Sequence, residues 1–225
     1  MTKKAQSAEE PPRDCTLCPR LVEYREANAD TYPGYFNGAV PPFGTANAMF
    51  LIVGLAPGIH GANQTGRPFT GDYAGDLLYA TLEKYSFSSG RYGAGPTDGL
   101  KLKHTTITNA VRCVPPQNKP NGLEIRTCRP FLTNQIKAMN KLQAILCLGR
   151  ISHESTIAAL SLKQKDAPFG HGIEHAIPGA KFSVFDSYHC SRYNTNTKRL
   201  TTTMFEKVFA NIRHHLEAKG LKPMS

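Results

Sequence analysis

The sequence predicts an α/β protein of three layers, α/β/α, around a central four-stranded parallel sheet. Two observations predict it. Short apolar or β-branched runs alternate along the chain with longer stretches whose apolar residues recur at helical spacing. That alternation belongs to a parallel sheet covered by helices on both faces. The chain has 225 residues, with no repeats and no long linker, which suits one sizeable core.

Residues 1–11 hold no apolar core and read as a disordered lead. A single domain is expected over 12–218, with 219–225 as a flexible tail. CTLCPRLVEYREAN carries a cysteine pair into a helical pattern, and the proline- and glycine-rich YPGYFNGAVPPFGTAN follows. Ala48–Val53 is the first strand. A helix from about Gly71 to Tyr85 places Leu77, Leu78 and Leu82 at helical spacing. SSGRYGAGPTDG reads as loop. His104–Asn109 is β-branched and forms the second strand. Arg126–Leu142 is a helix with Phe131, Leu132, Ile136 and Met139 on its buried stripe. Ala144–Leu148 is the third strand, and a helix runs through Ser152–Leu162. Lys181–Tyr188 is the fourth strand, and Leu200–Ala218 closes the chain as an amphipathic helix.

In an open parallel sheet, ligands bind beyond the carboxyl ends of the strands. Those ends read Gly54-Leu55-Ala56-Pro57-Gly58, Asn109-Ala110-Val111-Arg112, Gly149-Arg150 and His189-Cys190-Ser191, and they should meet on one rim. The loop after the first strand, GLAPGIHGANQTGRPFTGD, matches neither G-x-G-x-x-G nor G-x-x-x-x-G-K-S/T, the patterns that cradle phosphates. It carries a turn braced by Pro57, a second brace at Pro68, the aromatic Phe69 and the carboxylate Asp72. That inventory suits a flat, uncharged ring better than a phosphate chain. A net charge of +10, spread along the chain, makes nucleic acid the leading partner. No apolar run approaches the roughly 20 residues that a bilayer requires. A cytoplasmic protein is expected, where six cysteines suggest metal or chemistry rather than disulfides.

Cys15 and Cys18 form a metal-ligand pair on one tight turn, and Cys113 and Cys128 follow a strand end and open a helix. Four thiolates suit Zn²⁺ or an iron–sulfur cluster, and spacing alone does not choose between them. Cys147, inside AILCL, reads as a small core residue.

Three stretches, GLAPGIHGANQTGRPFTGD, ITNAVRCVPPQNKP and HCSRYNTNTKRLT, resemble the three motifs of the family 5, or type B, uracil-DNA glycosylases. The likeness spans roughly residues 12 to 215. It implies that family's fold and, on Cys15, Cys18, Cys113 and Cys128, a [4Fe-4S] cluster. It further implies a monomer that removes uracil, and other deaminated bases such as hypoxanthine or xanthine, from DNA. Such an enzyme draws its base into a pocket, stacks it on an aromatic ring and reads its Watson–Crick edge.

On this resemblance Gly54, Ala56, Pro57, Gly58 and Phe69 surround the base, with Phe69 stacking on it. Asn109 offers a donor and an acceptor to O4 and N3–H of uracil, a pair that cytosine cannot match. His189 donates to O2 of the leaving base. The acid is less defined, because Leu55 and Ala56 are apolar where related families carry a polar group. Asp72 is the nearest carboxylate and is equally an N-cap for the helix that follows. His60, Asn63, Arg67, Ser191, Arg192, Tyr193, Lys198 and Arg199 are expected to face DNA, with Tyr193 filling the gap left by the flipped base. Cys190 stands where the third motif has proline, which loosens the register of His189. The competing readings are a uracil-DNA sensor that grips without cutting and a metal-dependent redox or nucleotide-binding protein. The missing dinucleotide fingerprint argues against the last.

Overall fold

The computed structural model describes residues 10–45 and 47–222. The expected lead therefore lies outside the described residues up to residue 9, and the expected tail from residue 223. In the described part of each, Glu10 pairs with Arg112 and Leu221 is buried in the core, while Lys219, Gly220 and Lys222 are exposed.

Four parallel strands form the centre of the sheet: β2 (Phe50–Gly54), β5 (Thr105–Asn109), β6 (Ala144–Leu148) and β8 (Ser183–Ser187). The expected four-stranded sheet has six strands, because β1 (Phe43–Gly44) and β7 (Glu174–Ala176) add antiparallel edges. The order is β1-β5-β2-β6-β8-β7. These edge strands are two and three residues long, too short to show a period in the sequence. A separate hairpin of β3 (Ser88–Ser89) and β4 (Lys101–Leu102) closes the loop SSGRYGAGPTDG.

Strand β2 is buried along its whole length because its alternate residues feed two cores. Phe50 and Ile52 pack with α3 (Tyr73–Lys84) and α7 (Thr202–Ala218) through Leu78, Phe205 and Phe209. Leu51 and Val53 join Leu132 and Ile136 of α4 (Gly122–Ala138), on the face that also holds α5 (Arg150–Ala159). Helix α4 starts earlier than its apolar stripe predicts because Asn121 and Glu124 make a reciprocal capping box. A third cluster gathers α1 (Pro19–Thr31), the exit of β5 and α4 around Leu21, Val111 and Phe131.

The turn α2 (Ala62–Thr65) brings Arg67 into the interior, not to the surface. Its guanidinium makes paired bonds of 2.8 and 2.7 Å to Asp98 and lies over the rings of Phe43, Tyr79 and Tyr92. The Arg67 guanidinium beside Asp98 holds that carboxyl well below the usual range. Removing one partner of a buried pair leaves the other uncompensated, so Arg67→Met should cost about 3–5 kcal/mol of stability. Chemical denaturation checks this. A variant of unchanged stability but weakened DNA binding would return Arg67 to the surface role expected from the sequence.

Candidate active site

Strands β2 and β5 end side by side, with Gly54 the register partner of Asn109. Gly54 has no room for a side chain. A Cβ there would stand 2.4 Å from Asn109 Oδ1 and 2.6 Å from the Phe69 ring. Phe69 itself has φ +55°, a conformation disfavoured for an aromatic residue. Hydroxyls of Tyr79 and Tyr92 hold that turn through the carbonyls of Pro68 and Phe69, at 2.8 and 3.4 Å. Gly75 makes way as well, since a Cβ would fall 2.0 Å from the Phe69 carbonyl oxygen. Strain held in place by such packing is characteristic of functional sites.

Phe69 and Asn109 line a cavity of about 540 Å³, together with Leu55, Ala56, Pro57 and Gly58. Asn109 is 4% exposed and sits on the cavity wall, and among the described residues no protein group bonds its side-chain amide. A buried amide without a protein partner awaits a ligand or water. The rings of Phe69 and His189 lie 6.0 Å apart and 27° from parallel. Burial pushes the His189 pKa down to about 4, so the imidazole is neutral near pH 7. The Asn194 side chain donates to the His189 carbonyl at 2.8 Å and fixes the loop that lacks proline. Cys190 is fully buried with its thiol on the Ala74 carbonyl, and burial pushes that thiol up, away from reactivity.

Asp72 is the N-cap and also reaches the cavity. Its Oδ1 accepts from Gly75 N–H at 2.9 Å as the N-cap of α3, and the residue also lines the cavity. Crowding by the surrounding protein raises its carboxyl above the ordinary range, aided by nearby Asp76.

Beyond His189 the wall continues into α6 (Arg192–Asn196), a helix that the sequence reading missed. Ser191 caps it, and both Ser191 and Arg192 line the cavity. Tyr193 projects from α6 with 73% of its surface exposed, while Lys198 and Arg199 are exposed on the following turn. A second cavity of about 280 Å³ lies on the other side of His189. There Arg150 covers the Phe169 ring and Arg199 the Tyr188 ring, at 5.2 and 4.7 Å. Arg192 similarly covers Tyr73 at 5.7 Å. His60 is exposed and bonded to the Tyr35 hydroxyl. Asn63, expected at the surface, is instead fully buried and donates to Asn37 at 2.9 Å.

Cys15, Cys18, Cys113 and Cys128 come together from α1's approach, the exit of β5 and α4. Burial and mutual proximity push Cys18 up to about 11 and Cys113 up to about 12. The backbone N–H of Arg112 points at Cys128 Sγ, 3.4 Å away. A second group that could hold a metal ion is Cys147, His153 and Asp186, whose ligand atoms lie within 4.8 Å of one another. Both ring nitrogens of His153 already have partners there, Asp186 at 2.7 Å and the Ala167 carbonyl at 2.8 Å.

Residues 41–213 match the uracil DNA glycosylase superfamily. The chain belongs to that superfamily. It is 41% identical to the type-5 uracil-DNA glycosylase of Thermus thermophilus over 212 residues, 92% of this chain and 93% of the relative. A type-5 uracil-DNA glycosylase of Pyrobaculum aerophilum is 35% identical, covering 87% of this chain and 86% of that one. The type-4 uracil-DNA glycosylase of Saccharolobus solfataricus is 31% identical, covering 87% and 81%. No helix among the described residues is long and apolar enough to cross a membrane.

Sequence reasoning passed over Asn118 and Tyr73 in this superfamily member, although both line the first cavity, while Arg150, expected on the rim, lines the second. Asn118 sits in the quoted stretch ITNAVRCVPPQNKP, so its polar amide after two prolines was the available signal.

His189 resists protonation in the folded chain but not in the unfolded one. Its depressed pKa therefore makes stability rise with pH from about 4 to the ordinary histidine range, and stop changing above it. His189→Gln should remove up to one proton from that pH dependence, read from denaturation midpoints at several pH values. An unchanged slope would mean that His189 titrates normally.

Proposed function

We propose that the chain excises uracil, and other deaminated bases such as hypoxanthine or xanthine, from DNA by hydrolysing the N-glycosidic bond and leaving an abasic site. One observation carries this reading: an unpartnered Asn109 amide and a neutral His189 share a cavity with the Phe69 ring. An extruded uracil stacks on Phe69 while Asn109 donates to O4 and accepts from N3–H. As the C–N bond breaks, negative charge grows on the base. His189, neutral, donates an N–H to O2, where that charge collects. Asp72 stands beside the same cavity as the carboxylate that stabilises the sugar or positions water.

Ser191, Arg192, Tyr193, Lys198 and Arg199 hold the duplex, with Tyr193 as the wedge. Arg192 and Arg199 stack on aromatic rings, which keeps the guanidiniums extended toward phosphates. The four gathered thiols suit a [4Fe-4S] cluster held by Cys15, Cys18, Cys113 and Cys128, whose ligand set leaves no open position. When bound, the cluster supplies a structural cross-link among α1, α4 and the exit of β5. The reading includes a cytoplasmic monomer. None of the six cysteines is paired in a disulfide, as a reducing compartment keeps them, and short edge strands leave little sheet edge for self-pairing.

The alternative, a protein that binds uracil in DNA without cutting, draws on one observation: Leu55 and Ala56 line the cavity without a polar group. Single-turnover assays on a uracil-containing oligonucleotide separate the two. Excision is expected, with His189→Ala about 100-fold slower or worse, as for loss of an oxyanion donor. Asn109→Asp should also slow it, because a carboxylate cannot donate to O4. Asp72→Asn keeps the cap and removes the charge, so an unchanged melting temperature with a slowed rate marks catalysis. Tight binding with no free base would leave the binding protein as the better reading.

A further inference from the structure

Arg25, on α1, is 7% exposed. Its Nη1 donates to the Cys15 carbonyl at 3.0 Å and reaches Cys113 Sγ at 4.0 Å. Among the described residues no carboxylate pairs with it. Two neighbouring arginines are matched. Arg20 pairs with Glu124 at 2.6 Å, and Arg112 pairs with Glu10 at 3.0 Å. Arg25 is left as a buried cation beside four sulfurs with no carboxylate of its own. A buried charge of that kind persists only if an anion stands nearby. Arg112 shows the same deficit in part, since its buried Nη1 has no hydrogen-bond partner.

We infer that Arg25 is the counter-charge of the cluster held by Cys15, Cys18, Cys113 and Cys128, and that it sets how readily that cluster takes up an electron. The inference rests on the cluster reading above. Four thiolates make the bound cluster an anion, and reduction adds one more negative charge. A fixed cation within reach of Cys113 Sγ stabilises the reduced form more than the oxidised form. Net charge, hydrogen bonds to sulfur and exposure are the terms by which a protein sets such a potential. Here the chain supplies two of them, Arg25 as charge and the Arg112 N–H as the bond to sulfur.

The test compares full-length wild type, Arg25→Met and Arg25→Lys, each assayed for iron per chain and titrated by spectroelectrochemistry. Arg25→Met should lower the reduced-to-oxidised ratio at fixed potential about tenfold, equivalent to ~59 mV for one electron. Arg25→Lys should stay near wild type. If the cluster resists reduction, the same order should appear as the rate of absorbance loss under ferricyanide, fastest in Arg25→Met. An iron-poor Arg25→Met beside an iron-replete Arg25→Lys also supports a charge role. Iron-replete variants with wild-type ratios and bleaching rates would overturn the inference while leaving the cluster in place. So would an Arg25→Lys as defective as Arg25→Met, which would make packing the cause. Wild type with zinc and no iron would overturn the cluster reading itself, and this inference with it.

Discussion

The missing side chain at Gly54 is the constraint on which the rest of the site depends. Two parallel strands end there, a strained aromatic turn folds over them, and an amide points inward, all within contact of one α-carbon. A single methyl at that point would collide with both Asn109 and Phe69. The cost of such crowding is met by the sheet around it. β2 is buried on both faces and paired on both sides, so its end cannot shift to relieve pressure on the site.

Charge is divided between interior and rim with little overlap. Arg25, Arg67 and Arg112 are buried, whereas Arg150, Arg192 and Arg199 stand at the rim against aromatic rings. The +10 excess is thus a poor guide to where polyanions would bind, because several of its members are structural. A guanidinium stacked on a ring gives up less conformational freedom on meeting a phosphate than one waving in solvent. Position alone separates the two sets, since buried Arg67 also lies over three rings.

Much of the fold was legible because long, continuous apolar runs have few alternatives. AILCL became β6 without change, and the other central strands differ from their expected ends by a few residues. Edge strands of two or three residues carry no period, and α6 was hidden because its five residues bury none of their side chains. The cavity walls, Leu55 through Gly58 with Phe69, Asn109 and His189, could be read from strand ends and motif likeness together. Asn63 and Arg67 could not. Their partners, Asn37 and Asp98, are distant in sequence, and nothing local distinguishes a buried polar residue from an exposed one.

Asn109 and Cys113 belong to one continuous exit from β5. Between them, Ala110 and Val111 extend the strand pairing through bonds of 2.9 Å to the Gly54 and Leu55 carbonyls. The segment that presents the Asn109 amide to the cavity therefore ends on a sulfur beside the other three thiols. On the proposed reading, a chain synthesised under iron shortage would hold the far end of that segment by protein contacts alone, chiefly those of Arg112 with Gln135 and Glu10. Base contact and metal loading would then meet on one stretch of backbone, from Asn109 to Cys113.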